Sequence, residues 1–147
     1  MIQDDLICKT ISIHASPSET WRVLTDPQLV SRWLSDAEVE VRSEWKTGSA
    51  IRFKGNLYGT GTDYEDHGTI LAFEPEQVFR YSYWSSISHL PDTPEHHSVI
   101  EFRLREQGDE TELTLTHSHI SDIIALKHCY FYWNVTLGLL KRLSEQQ

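Results

Sequence analysis

Hydrophobic and polar positions along the chain follow two alternating periods, and the switches between them mark its elements. Residues 6–14 read LICKTISIH, with Ile7, Ile11 and Ile13 on one side and Lys9 as the exception, which predicts a strand. Ser16-Pro17-Ser18-Glu19 then carries the signs of a helix start: a hydroxyl cap, a proline at the first helical position, and a glutamate three residues after the cap. That helix presents Trp21 and Leu24, and Asp26-Pro27 repeats the cap-then-proline signal before a second short helix with Leu29, Val30, Trp33 and Leu34. From residue 37 the period is two. Residues 37–42, AEVEVR, bury Val39 and Val41, Lys46-Thr47-Gly48 turns, and Ile51 and Phe53 alternate with Arg52 and Lys54. The glycine-rich segment from Gly55 to Gly68 reads as a hairpin connection. Ile70–Phe73 resumes as strand, Glu74-Pro75-Glu76 turns, and Phe79, Tyr81 and Tyr83 line one face of the next strand. Ser85 to His97 contains two prolines and reads as a loop. Ile100, Phe102 and Leu104 alternate with charged residues, Gln107-Gly108-Asp109 turns, and Leu113, Leu115 and His117 share a face of the last strand.

From Ser121 to about Leu143 the period becomes helical, with Leu126, Tyr130, Trp133, Leu137 and Leu140 as one apolar stripe and Lys141 and Arg142 in the last turn, where cations suit the helix dipole. Residues 129–133, CYFYW, are bulky all round, which predicts contacts on more than one side of that helix. The order is one strand, two short helices, five or six strands and a long helix. It predicts a single α+β domain over residues 1–147, with a curved antiparallel sheet of six or seven strands and a C-terminal helix covering its otherwise bare face.

Composition narrows the function classes. A chain of 147 residues, 39% hydrophobic and 24% charged, can bury a core without metal or disulfide staples. A net charge of -9 and the absence of a Lys/Arg cluster argue against nucleic acid and against an anionic membrane surface. Cys8 and Cys129 form no CxxC pair, residues 1–5 lack the character of a secretory signal, and no apolar run is long enough to span a bilayer. The expectation is a cytoplasmic protein with reduced thiols.

The collective signal is aromatic. Phe53, Phe79, Tyr81, Tyr83, Phe102, Tyr130 and Trp133 converge, by alternation and helical phase, on one interior that is either a filled core or a ligand cavity. Tyr81, Tyr83, His117 and Asn134 are the polar groups such a cavity would offer, and Leu137 joins its wall. His117 faces the last helix from the strand of Leu113 and Leu115, either as an acid–base group or as a structural hydrogen-bond partner. The eight histidines include His96-His97 and His117-x-His119, the latter expected on one strand face, but their spacing supports no metal site. Gly59-Thr60-Gly61 lies between strands, so it reads as a turn and not a nucleotide loop. Asp63, Glu65 and Asp66 read as an exposed acidic loop. Ser16, Ser18 and Ser121 suit helix starts, no GxSxG elbow occurs, and Cys129 reads as a small packing residue. No cofactor and no catalytic residue are indicated.

The motifs also carry a resemblance. Residues 20–27, TWRVLTDP, followed by Arg32-Trp33, resemble the "vWxaLTdpexlxxW" opening of the activator of heat-shock protein 90 ATPase homologue-like family. That family belongs to the START and birch-pollen-allergen superfamily, also called SRPBCC. Residues 67–75, HGTILAFEP, are similar to its "hGxVlexxP" segment, residues 111–117, TELTLTH, to its "TxLtLtH" strand, and Trp133, Leu137 and Leu140 to its final-helix pattern. Residues 45–49, WKTGS, depart from it where the family often has two adjacent glycines. The resemblance implies the helix-grip fold, a sheet closing on a long C-terminal helix. It implies no shared catalytic residue. Three functions follow as expectations: a non-catalytic binder of a small apolar or amphipathic molecule, a co-chaperone-like or regulatory interaction module, or a cyclase- or hydrolase-type enzyme using His117. A homodimer and a chaperone partner stay open.

Overall fold

Ser16 and Asp26 do what their positions promise. In the computed structural model, which describes residues 6–34, 39–56, 63–88 and 90–147, the Ser16 hydroxyl accepts the Glu19 N–H at 3.1 Å and Glu19 returns the bond to the Ser16 N–H at 3.0 Å. This capping box starts α1 (Pro17–Thr25). Asp26 ends α1 and caps α2 (Pro27–Trp33), accepting from the Gln28 N–H. The helices follow β1 (Ile7–Ile13) and precede β2 (Val39–Ser43), β3 (Ala50–Asn56), β4 (Asp63–Glu74), β5 (Val78–Ser85), β6 (Ser98–Gln107), β7 (Glu110–Ser118) and α3 (Ile123–Glu145). Two short 3-10 turns, Ser86–Ser88 and Pro94–His96, interrupt the loop between β5 and β6. The expected start of β2 at residues 37–38, the Gly59-Thr60-Gly61 turn and His89 lie outside the described residues.

The seven strands form one curved antiparallel sheet in the order β1-β7-β6-β5-β4-β3-β2. Every neighbour except β1 and β7 is also a neighbour in sequence. Gly48 at φ 91° and Gly108 at φ 62° occupy the left-handed region in two of those turns, where a side chain would be strained. Trp45 also sits at positive φ, in the segment that departs from the family pattern. The α-helical layer covers one face. Trp33 donates its indole N–H to the Val23 carbonyl at 2.8 Å, locking α2 to α1, and the Tyr132 hydroxyl donates to the Leu34 carbonyl, tying α3 to the end of α2. At its far end α3 is held to β1 by Lys141, which donates to the Ser12 carbonyl at 2.7 Å, and by Glu145, which accepts the His14 N–H at 2.8 Å. The cap of α3 is the Asp122 carboxylate, on the Ala125 N–H at 2.8 Å, one residue beyond the expected Ser121.

Two expectations are corrected. Residues 63–68 are strand and not connection: Asp63 pairs with Asn56 and Asp66 with both Phe53 and Ser85. Tyr64, Asp66, Gly68 and Ile70 take the inward parity, and the polarity of three of them hides the alternation. The exposed acidic loop therefore does not exist as such, because Asp66 is buried. His119 is not on the strand face of His117: β7 ends at Ser118, and His119, at φ 59°, follows the strand, though both histidines line the same cavity.

Gly68 is a packing requirement. A Cβ built there would lie 1.6 Å from the Ser82 carbonyl oxygen, so only glycine lets β5 approach. Gly68→Ala is expected to cost about 3 kcal/mol or more, the upper range of overpacking. Gly138→Ala, in α3 with open space at its Cβ, is expected to gain about 0.5–1 kcal/mol. Urea denaturation of both variants checks the pair, and equal behaviour would contradict the strand geometry at Gly68.

Candidate functional site

Between the sheet and the first half of α3 lies a cavity of about 380 Å³. Phe53 of β3, Tyr64 and Asp66 of β4, Tyr81 and Tyr83 of β5, Ser98 and Ile100 of β6, and His117 of β7 form its floor. Ala125, Cys129, Tyr132 and Trp133 of α3 close it, with Leu34 at the end of α2. The other half of the interior is full. Phe79 stacks on Phe102 with ring centroids 6.3 Å apart, packs edge-on to Trp21 at 6.4 Å, and lies 5.9 Å from Trp45. A void there, lined by Trp33, Phe79 and Phe102 among others, measures only about 10 Å³. The aromatic group is thus divided: α1 and α2 fill one end of the groove, and the other end stays open.

Phe53, Tyr81, Tyr83, His117 and Trp133 line the cavity. Phe79, Phe102 and Leu137 are buried in the filled core instead. Tyr130 and Asn134 are corrected outright. They face the β1 edge, where Lys9 stands 4.0 Å over the Tyr130 ring and donates to the Asn134 amide oxygen. The reason is helical phase. The cavity face of α3 runs through Ala125, Cys129 and Tyr132, beside the Leu126–Trp133–Leu137–Leu140 stripe and on the opposite side from Tyr130. Residues 129–133 do make contacts on more than one side, and that bulk is the signal that could have found Tyr132. Asp66 could have been found only by carrying the strand alternation of Ile70 back through Gly68.

His117 is held on both nitrogens. The Trp133 indole N–H donates to Nδ1 at 3.0 Å, which leaves the proton on Nε2, 2.9 Å from the Ser98 hydroxyl. Burial lowers its pKa from the usual 6.5 to about 4. Protonating Nδ1 would break the Trp133 bond, so a neutral imidazole joins β7, β6 and α3. Asp66 accepts from the Tyr83 hydroxyl on one oxygen and from the Ser85 hydroxyl on the other, at 2.6 Å for the latter. Burial raises its pKa above the usual carboxylate value, outweighing the opposing pull of these hydrogen bonds. Burial also raises Tyr81, Tyr83 and Tyr132, so their phenols are neutral, and pushes the Cys129 thiol up to about 11, which removes thiolate character at neutral pH. Among the described residues no group of three or more His, Cys, Asp or Glu is placed to hold a metal ion.

At the rim, the β5–β6 loop is clasped by one carboxylate. Asp92 meets His67 Nε2 at 2.8 Å and His97 Nε2 at 2.7 Å, and the Trp84 indole N–H donates to the Leu90 carbonyl at 3.3 Å. The bond from His97 is the main cause holding the Asp92 carboxyl below its usual range.

A curved antiparallel sheet gripping a C-terminal helix around such a cavity defines a helix-grip protein. The chain belongs to the family described as activator of Hsp90 ATPase homolog 1-like protein, whose model matches residues 14–145, in accord with the resemblance carried by the motifs. A solution structure from Cytophaga hutchinsonii is 30% identical, with TM-score 0.82 over 99% of this chain and 97% of that one. The crystal structure of CalU16 from Micromonospora echinospora is 25% identical, with TM-score 0.69 over 95% and 75%. The solution structure of the Aha1 dimer from Colwellia psychrerythraea, 22% identical with TM-score 0.73 over 99% and 97%, shares the fold. No curated protein sequence matches the chain. Family and fold together fit ligand-binding or regulatory roles. No helix among the described residues is long and apolar enough to cross a membrane.

The His117 pKa sets a pH dependence. The folded state holds the imidazole neutral while the unfolded state protonates it near pH 6.5, so the contribution is complete above that pH and is lost as pH falls toward 4. The shift corresponds to on the order of 3 kcal/mol. Urea denaturation at pH 7.5 and 4.5 should show a steeper loss for the parent chain than for His117→Gln, which retains an acceptor for Trp133. Equal pH slopes would show that His117 is not held neutral.

Proposed function

We propose that the protein binds a small apolar or amphipathic molecule in the cavity between the sheet and α3, without catalysing a reaction. The observation that supports this most is the cavity itself: about 380 Å³, walled by aromatic side chains with a few convergent polar groups, within the size range of small-molecule sites. Catalysis through His117 fits less well, since both ring nitrogens are engaged and its pKa sits near 4. The test is a thermal-shift screen with apolar and amphipathic compounds. A ligand at a hundred times its Kd should stabilise the chain by about 2.7 kcal/mol. Cys129→Phe, which grows a ring into the cavity, should abolish that stabilisation while the variant stays folded. A screen with no stabilising compound, or a ligand that still binds Cys129→Phe unchanged, would remove this reading.

A second reading is an interaction module, favoured by four solvent-exposed apolar side chains on α3, of which Ile124, Phe131 and Val135, 79%, 69% and 50% exposed, share one face and Ile123 lies apart from them. The partner in this reading is a second copy of the chain or, following the family's name, a chaperone. Sedimentation from micromolar to millimolar concentration should then show a dimer that Phe131→Asp dissociates, or the chain should stimulate the ATPase of purified Hsp90. A monomer at every concentration that leaves the ATPase unchanged would exclude it.

A further inference from the structure

We propose that the occupant of the cavity is an organic cation: an amine with an apolar or aromatic body, its ammonium seated on the Asp66 carboxylate. This rests on the cavity-binding reading above and adds the charge of the ligand.

The lining is unbalanced in charge. Among its described residues Asp66 is the one carboxylate, and none is Lys or Arg. Asp66 is 8% exposed, and among the described residues no ion pair reaches it. His67, the next residue along β4, is engaged with Asp92 at the rim. A carboxylate taken out of water without a cation is unfavourable, and proteins ordinarily pair it or replace it. Here it is positioned by hydrogen bonds and carries no ion pair among the described residues. The Tyr83 and Ser85 hydroxyls each donate to one oxygen and the Ser86 backbone N–H adds a third bond, which fixes the group's orientation and still leaves the carboxylate, with about four acceptor directions, room for a further donor. That remaining direction is what an ammonium needs.

The surroundings suit the rest of such a ligand. Phe53, Tyr64 and Tyr132 line the same cavity, and aromatic faces attract a cation while accommodating an apolar body. The other polar lining groups are hydroxyls, imidazoles and one thiol, which offer no fixed positive charge for an organic anion. An anionic headgroup would meet Asp66 without compensation. The net charge of -9 acts in the same direction at long range, raising the local concentration of cations and lowering that of anions.

The test uses ligands that share a body and differ in head: tryptamine, tryptophol and indole-3-acetate, and octylamine, 1-octanol and octanoate. Affinities are measured by calorimetry at pH 7.5 on the full chain. Within at least one set the amine should bind roughly tenfold or more tightly than the alcohol, with the acid weakest. In Asp66→Asn the ratio of amine to alcohol should collapse toward one. That variant removes a buried charge, so its melting temperature should be no lower than the parent's, and Asp66→Leu supplies a second charge-free chain should Asn fold poorly. Alcohols or acids that bind as well as the amines, or a ratio that survives both substitutions, would overturn the proposal and leave cavity binding standing. No binding by any of the six compounds at millimolar concentration would overturn both.

Discussion

The Trp133 indole touches the sheet in two ways at once, and the cavity exists because of both. Its ring packs edge-on against Phe102 with centroids 5.8 Å apart, and its N–H donates to His117 Nδ1 at 3.0 Å. The first contact is apolar and fixes distance; the second is directional and fixes rotation about the helix axis. A helix laid over a sheet by hydrophobic contact alone could settle at several rotations, since apolar packing is non-directional. The hydrogen bond selects one. At that rotation Ala125, Cys129 and Tyr132 face the open end of the groove, and Tyr130 and Asn134 turn to the β1 edge. His117, which the sequence reads as either an acid–base group or a structural hydrogen-bond partner, is the piece that orients the cavity's roof.

The split of the interior follows from where the short helices sit. α1 and α2 bring Trp21, Leu24, Val30 and Trp33 to one end of the sheet, where with Phe79 and Phe102 they leave almost no free volume. They reach no further, because α2 ends at Trp33 and Tyr132 pins the residue after it. The strands run on past the filled core, and their inward positions there carry Tyr64, Asp66, Tyr83 and Ser98 where the filled end carries Ile and Phe. The change from apolar to polar inward residues along β4, β5 and β6 marks the border between core and cavity.

That border explains what was legible in the sequence. The elements followed from periodicity and caps wherever the inward positions were apolar: β1, both short helices, β5, β6, β7 and α3 all fall near their expected bounds. The fold class and family followed as well, because caps, turns and core residues carry the motifs. The first half of β4 did not, since Tyr64, Asp66 and Gly68 supply no hydrophobic alternation and glycines crowd the segment before them. Tyr64 and Asp66 of that stretch line the cavity, so the stretch hardest to read as strand holds the cavity's carboxylate. Core and cavity aromatics were indistinguishable for a related reason: Phe79 and Phe53 have the same parity and chemistry, and only the reach of α2 separates them. In α3 the ambiguity was rotational. A stripe of Leu126, Trp133, Leu137 and Leu140 fixes the helix face to within one residue's width, and Tyr130 and Tyr132 stand on opposite sides of it.

At Asp66 the demands of stability and of the proposed cation site run in opposite directions. A carboxylate whose folded pKa is raised binds protons more tightly in the folded state than in the unfolded one, so its contribution is favourable in acid and is lost as pH rises through that raised value. At neutral pH this carboxyl therefore works against folding, in a wall whose other residues favour it. Asparagine at this position would keep a hydrogen-bond acceptor for Tyr83 without the charge. A residue that lowers stability yet has two hydroxyls dedicated to its orientation is better explained by what it meets in the cavity than by the fold. The clasp of His67 and His97 on Asp92 fits the same account: it holds the rim loop over the open end by bonds at the edge, where they leave the interior free. In the proposed binding role, a roof fixed by Trp133 and a rim held by Asp92 leave charge and volume as the features on which an occupant would be selected.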